Sequence, residues 1–258
     1  MHITIVTPIL NRSAFIEQSF RSIIEQRGDF SLEYWVIDGG SDDGTLGILG
    51  QYHNKLHYIS ESDRGQAHAL NKGMAVASSD IIGWLNSDDI YLPGTLDKVA
   101  RCFRQNPGCQ WLIGKCRIID HEGREIRRLV SWYKNSRLTR YSYKNLLHEN
   151  FISQPAVFFR RSFFRDVGHF DESLHYAMDY DLWLRMGAIS NPVILHEYIA
   201  AFRWHPLSKT SAQLRNSLQE AAVVAHRYAS DRPATLARAW LYRLGVRLAY
   251  ALLDTVRR

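Results

Sequence analysis

The chain has 258 residues, of which 46% are apolar and 22% charged, so it can bury a sizeable core and is not a disordered polyelectrolyte. No apolar run approaches the roughly eighteen residues of a spanning helix. Cys102, Cys109 and Cys116 are an odd set without zinc spacing, and they read as free thiols in a reducing compartment.

In chain order, the segment MHITIVTPIL has no basic stretch before its apolar run and reads as a buried strand rather than a leader, which points to the cytoplasm. Short β-rich runs follow at Tyr34–Ile37, Leu56–Ile59, Ile81–Trp84 and Gln110–Ile113, after a first strand at Ile3–Thr7. Helical spacing fills the gaps at about 14–26, 44–50, 66–77 and 94–105. Such alternation predicts an α/β fold whose central sheet is mostly parallel, with helices on both faces. The stretch 121–160 is less regular, with strands expected at Glu125–Ser131 and Ala156–Phe159. A helix is expected at 178–188, a strand at Val193–Tyr198, and helices from Ser211 onward, the last opened by Pro233 in its first turn.

Ligands of such sheets bind beyond the carboxyl ends of the strands. Polar clusters stand at four of these ends: Thr7 to Asn11, Asp38 to Thr45, Glu61 to Gly65, and Asn86 to Asp89. In NSDD, carboxylates after the buried run IIGWL suit a hard cation shared with substrate phosphates, or equally a turn before the next helix. In DGGSDDGT, Asp38 can accept a hydrogen bond from a base, while Ser41 or Asp43 can cap a helix. In ESDRGQAHALNKG, Arg64 and Lys72 suit a diphosphate, whereas His68 reads as an ordinary helix histidine. Asp179 and Asp181 open an amphipathic helix, and if one of them caps it the other is free to act as a base. His205, Ser208, Lys209 and Thr210 form a polar loop that can close over a diphosphate or simply link two elements.

In this order, TPILNR, VIDGGSDDGT, SDRGQAHALNKG, GWLNSDDIYLPG and MDYDLWLR resemble family 2 glycosyltransferases, inverting enzymes of GT-A fold, over about residues 2–210. The resemblance implies a catalytic domain over 1–210 and a helical extension over 211–258. It also implies transfer from a nucleoside-diphosphate sugar, UDP-linked, to an acceptor hydroxyl in cell-surface polysaccharide or glycolipid synthesis. By position it assigns Thr7, Pro8 and Asn11 to the loop beside the nucleobase, and Asp38 to contact with the base. Asp63, Arg64 and Lys72 go to the diphosphate and ribose, with Asn86 and Ser87 beside the donor. Asp88 becomes the ligand of Mn2+ or Mg2+, His205 a residue near the diphosphate or the metal, and Asp179 the catalytic base. Two departures stand out. Asn86 replaces the first acid of the metal motif, so that Asp89 or His205 must compensate or the metal must bind with the nucleotide. Gly39 replaces the second acid of a common Asp-Asp pair.

The formal charge of +6 is concentrated in residues 124–140 and in the last twenty-one residues, which suits phosphate-bearing ligands or an anionic surface; no nucleic-acid module is present. In the last helix Arg243, Arg247, Asp254 and Arg257 share one face, Leu241, Leu244, Leu248, Ala251 and Leu252 the other, with Trp240 and Tyr250 at the edges. Such a helix lies on a membrane surface, the inner face of the plasma membrane for a cytoplasmic chain, or packs on its own domain or a second subunit. Competing readings are a non-catalytic binding module of the same fold and a nucleotidyltransferase. The latter wants a glycine-rich basic loop after the first strand, which TPILNR is not.

Overall fold

The structure is a computed structural model that describes residues 1–205, 208 and 213–255, with side chains as far as Leu248. Lys209, Thr210 and Arg257 lie outside the described residues, as do the side chains of Tyr250, Ala251, Leu252 and Asp254.

The strands are β1 (His2–Ile9), β2 (Ser31–Asp38), β3 (His57–Ser60), β4 (Ile81–Trp84), β5 (Ile90–Tyr91), β6 (Trp111–Ile119), β7 (Val157–Arg160) and β8 (Val193–Arg203). They form one eight-stranded sheet in the order β3-β2-β1-β4-β7-β6-β8-β5. Parallel pairing joins β1 to β2 and β4, β2 to β3, and β6 to β8, while β7 and β5 run against their neighbours. The sheet is therefore mixed but mostly unidirectional. Its parallel half reads as near-continuous apolar runs because both faces are covered.

Helices α1 (Ser13–Ile24), α2 (Thr45–Gln51) and α4 (Thr95–Gln105) pack on one face through Ile16, Phe20, Leu49, Leu96 and Phe103. On the other face lie α3 (Gln66–Val76), α7 (Arg161–Val167) and α8 (Met178–Ile189). Gly73 is what lets α3 lie flat on β1, since a Cβ there would overlap the Val6 side chain. Trp183 of α8 stacks between Trp84 of β4 and Trp111 of β6, with ring centroids 5.6 and 6.0 Å away and planes within 14° and 13° of parallel. That stack ties α8 to the end of β4.

The expected strand at Glu125–Ser131 does not form. Only Glu125 bridges to Ile119, and α5 (Arg128–Thr139) begins three residues later. A short α6 (Tyr143–Leu146) follows. The chain ends in α9 (Leu214–Ala229) and α10 (Pro233–Thr255), with Pro233 in the first turn as expected. Val224, Ala225 and Ala229 of α9 join the same core as α8, and the Tyr228 hydroxyl donates to Asp181 over 2.8 Å.

Candidate active site

The sheet changes direction of growth between β1 and β4, and the loops after β1, β2, β3 and β4 gather at that edge. Asp38 lies in register with Ile9 at the ends of β2 and β1. A cleft of about 510 Å³ opens there. Its lining includes Pro8, Arg12, Asp63 and Gln66 by the loops after β1 and β3, Asn86, Ser87 and Asp88 after β4, and Lys134, His148, Asn150 and Asp179 from the chain beyond β6. Asp88 and Asp179, ninety-one residues apart in sequence, thus share one cavity.

Asp38 is fully buried at the edge of this region. Its carboxylate accepts from the backbone N–H groups of Gly40 and Ser41 and from the Ser60 hydroxyl at 2.6 Å. It fixes the β2 loop. That loop in turn holds Asn11, whose N–H donates to Ser41 Oγ at 2.8 Å and whose own backbone is left-handed with φ 51°. Thr7 is buried and accepts from the Tyr34 hydroxyl. Asp63 accepts from the Gly65 N–H at 2.7 Å, and its other oxygen fills the space beside Gly39, where a Cβ would lie 2.5 Å from it. The acid missing at position 39 is therefore replaced in space by Asp63. Arg64 and Lys72 stand outside the cleft wall: Arg64 pairs with Glu172 at 2.6 Å, and Lys72 pairs with Glu61 at 2.8 Å. His68 takes the Arg64 N–H and is part of the helix start, as the sequence suggests.

Asn86 earns its amide from its neighbours. Its Oδ1 accepts from Gln66 Nε2 at 2.7 Å and from the Trp84 indole, while its Nδ2 donates to Gln154. A carboxylate could not make that last bond. Asp88 meets His205, with 3.0 Å between Oδ2 and Nε2. The topology explains this meeting. Strand β5 pairs with β8, the Arg203 N–H donates to Asp89 Oδ1 at 2.8 Å, and His205 follows two residues on. Asp89 itself is sealed from solvent, and burial together with the Asp88 charge drives its carboxyl well above the ordinary range. It braces β8 and is no substitute for the acid absent at 86.

A hard cation needs oxygen or imidazole donors, and among the described residues no three His, Cys, Asp or Glu side chains cluster as a ready-made site. The pair Asp88 and His205 offers one carboxylate and one imidazole close together, a donor set that fits a cation completing its shell with diphosphate oxygens.

Neither acid of α8 caps the helix, and the two differ in their partners. Asp181 is committed: it pairs with Arg185 at 2.9 Å, and Arg185 in turn donates to the carbonyls of Val167, Gly168 and His169. The helix N-cap is Ala177, without a side-chain cap, and Asp179 is left facing the cleft. Burial raises its carboxyl above the ordinary range; the Tyr180 N–H at 2.7 Å, the Lys134 charge and the Asn150 amide pull it back in part. Lys134 is itself depressed by burial, and its ammonium donates to the Ile152 carbonyl.

Sequence reasoning missed Lys134, Asn150, Gln66 and Gln154, and it missed that α10 reaches the cleft through Tyr242, Arg243 and Val246. None carries a local signature. The one available hint for Lys134 was its place in the basic run, which reads equally as a solvated face.

The chain is similar in sequence to several bacterial proteins. The chain is 26% identical over 231 residues to an uncharacterised glycosyltransferase of Rickettsia typhi, covering 84% of this chain and 68% of that one. It is 28% identical over 190 residues to the chondroitin synthase of Escherichia coli, covering 72% of this chain but only 26% of that protein. Against a PGL/p-HBAD biosynthesis glycosyltransferase of Mycobacterium bovis it is 28% identical over 202 residues, 76% of this chain and 73% of that one. Among solved structures, S. aureus TarS in complex with UDP-GlcNAc superposes with a TM-score of 0.67 at 18% identity, covering 87% of this chain and 65% of that one. The mannosyltransferase PcManGT of Pyrobaculum calidifontis, in complex with GDP-Man and Mn2+, superposes with a TM-score of 0.66 at 19% identity, covering 99% and 79%. These superpositions establish a shared GT-A fold. With its family model matched over residues 4–168, well over half of its length, the chain belongs to glycosyl transferase family 2.

Proposed function

We propose that the chain transfers one sugar, with inversion, from a nucleoside-diphosphate sugar to an acceptor hydroxyl, and that Asp179 is the base. The observation carrying this reading is the single cleft shared by Asp63, Asn86, Ser87 and Asp88 on one side and Asp179 on the other. The donor's nucleoside lies by Thr7, Pro8, Asn11, Asp38 and Asp63. Its diphosphate lies by Asn86, Ser87 and Asp88, with Arg64 and Lys72 near enough at the rim to reach it if their partners Glu172 and Glu61 release them. The neighbours that hold UDP-GlcNAc and GDP-Man suggest the donor class, and we read UDP as the nucleotide.

In the reaction the ionised Asp179 takes the proton of the acceptor hydroxyl as that oxygen bonds to the anomeric carbon. The bond from that carbon to the diphosphate oxygen breaks on the opposite face, and the nucleoside diphosphate leaves with both electrons. Asp88 and His205 would hold a Mn2+ or Mg2+ ion, which supplies positive charge beside the departing diphosphate. Asn150 and the Lys134 charge both favour the ionised form of Asp179 against its burial. We read α9 and α10 as part of the working site at its acceptor side, a reading supported by Leu214, Ser217, Leu218, Tyr242 and Arg243 lining the same cleft. The acceptor we read as a carbohydrate or glycolipid of cell-surface polysaccharide synthesis, approached from the cytoplasmic side.

A donor screen by thermal shift tests the reading. With manganese, UDP at about a hundredfold over its Kd should raise Tm by roughly 5–10 °C, and GDP and dTDP by less. Silence toward every nucleotide, with and without the ion, would sink it.

A further inference from the structure

Two helices beside the cleft are amphipathic in the wrong sense for a globular core. In α5 the buried positions are Ser131, Asn135 and Leu138, and the Asn135 amide is spent on the backbone of Cys116. Three of its large apolar residues point outward: Leu129 is 82% exposed, Trp132 67%, and Tyr133 also lies open. In α10 the inward positions include Thr235, Ala239 and Arg243, while Trp240 and Leu241 are each 59% exposed and Leu244 and Leu248 share that outer face. Both helices also wall the cleft, α5 through Val130 and Lys134, and α10 through Tyr242, Arg243 and Val246.

The charge on these faces has one sign. Arg128 and Arg140 by α5, and Arg232, Arg238 and Arg247 by α10, are exposed, and neither 126–140 nor 232–248 holds a carboxylate; Lys134 and Arg243 face the cleft instead. Exposed Trp and Leu set among arginines match the interfacial zone of a bilayer, where indole rings sit at headgroup depth and basic groups meet lipid phosphates. Among the described residues no helix is long and apolar enough to cross a membrane.

We propose that the outer faces of α5 and α10 together dock on an anionic lipid surface and turn the acceptor end of the cleft toward it. A single helix would give a tether. Two helices that both line one cleft fix an orientation, so that an acceptor carried by a membrane lipid meets Asp179 without leaving the bilayer. The docking needs no assumption about catalysis. Its consequence for the acceptor rests on the proposed transferase reading.

The test is flotation of the full chain with phosphatidylcholine vesicles, with and without phosphatidylglycerol, alongside release of nucleotide from a donor by hydrolysis in vesicle-free buffer. The wild type should float only with the anionic vesicles and detach at high salt. Trp132→Ser and Trp240→Ser should each weaken flotation, and the double variant should lose at least about tenfold in partitioning while its hydrolysis and thermal melting stay unchanged. Equal flotation of wild type and double variant would overturn the proposal. So would a concentration-dependent dimer, seen by light scattering without vesicles, that the same substitutions dissociate, because these faces would then bind a second copy. Loss of hydrolysis in the wild type alongside intact flotation would count against the transferase reading and leave the docking standing.

Discussion

Asp179 sits in conflict between its work and its surroundings. Burial pushes its carboxyl above the ordinary range, and the N–H of Tyr180, the Lys134 charge and the Asn150 amide offset only part of that. An acid whose folded value is raised binds its proton more tightly folded than unfolded. Its ionised form therefore costs stability at neutral pH, and the cost fades as pH falls through the raised value toward the unfolded one. Asp179→Asn should accordingly melt higher than the wild type at neutral pH, with the gap closing in acid, while turnover drops by about 10²–10⁴-fold. Since the base must be ionised, the acid limb of kcat should lie above the ordinary aspartate value of about 3.9. Lys134→Met, which removes the opposing charge, should move that limb higher still. A variant that is both inactive and less stable at neutral pH would show that Asp179 braces the fold instead.

At the scale of elements, catalytic register depends on α8 being held against β4. The Trp84–Trp183–Trp111 stack does this, and the Trp183 indole N–H makes no hydrogen bond among the described residues. Trp183→Phe thus loses ring area but no polar partner and should cost under about 1.5 kcal/mol. Trp183→Ala leaves a cavity between two rings, should cost about 3–5 kcal/mol by denaturant titration, and should depress kcat far more than nucleotide affinity. Elements of this kind were legible in the sequence wherever burial wrote a pattern. Strand β4 coincides with its expected bounds because Ile81 to Trp84 is buried on both faces, and α1 to α4 show their apolar stripes. Helix α5 was illegible for the opposite reason. The sequence suggests a strand over Glu125–Ser131, but Leu129, Trp132 and Tyr133 of α5 face outward and its inner stripe carries Ser131 and Asn135 beside Leu138, so the rule that apolar means inside misplaces it. The site divides in the same way. Asp63, Asn86, Asp88 and Asp179 stand at strand or helix ends, where order in the chain predicts convergence. Lys134, Asn150 and Gln154 reach the cleft only through the path of the irregular stretch after β6, which spacing does not encode.

For the whole molecule, much of the cleft lining is chain that lies beyond the family match at residue 168. Helix α9 is fastened to α8, with Tyr228 on Asp181 and Glu220 taking the backbone N–H of His175 at 2.9 Å. Helix α10 then folds back, burying Thr235 and Ala239 and carrying Tyr242, Arg243 and Val246 to the cleft, where burial lowers the Arg243 guanidinium and the nearby Tyr180 offsets this in part. The buried residues of α10, Thr235 and Ala239, are small, so removing the helix forfeits little core. Ending the chain after Ser230 should therefore leave a folded protein whose calorimetric affinity for the nucleotide stays within about threefold, since Pro8 stands at the end of β1 and Asp63 and Asp88 on the loops after β3 and β4, and none of them on α10. Water then enters where the acceptor belongs, so transfer should fall by at least about tenfold while hydrolysis of the donor holds or rises. The ratio of the two products separates this from simple damage, because a misfolded site loses both. If the truncated chain transfers sugar as well as the full one, α10 has no part in the acceptor end, and its cleft-facing residues are there for packing alone.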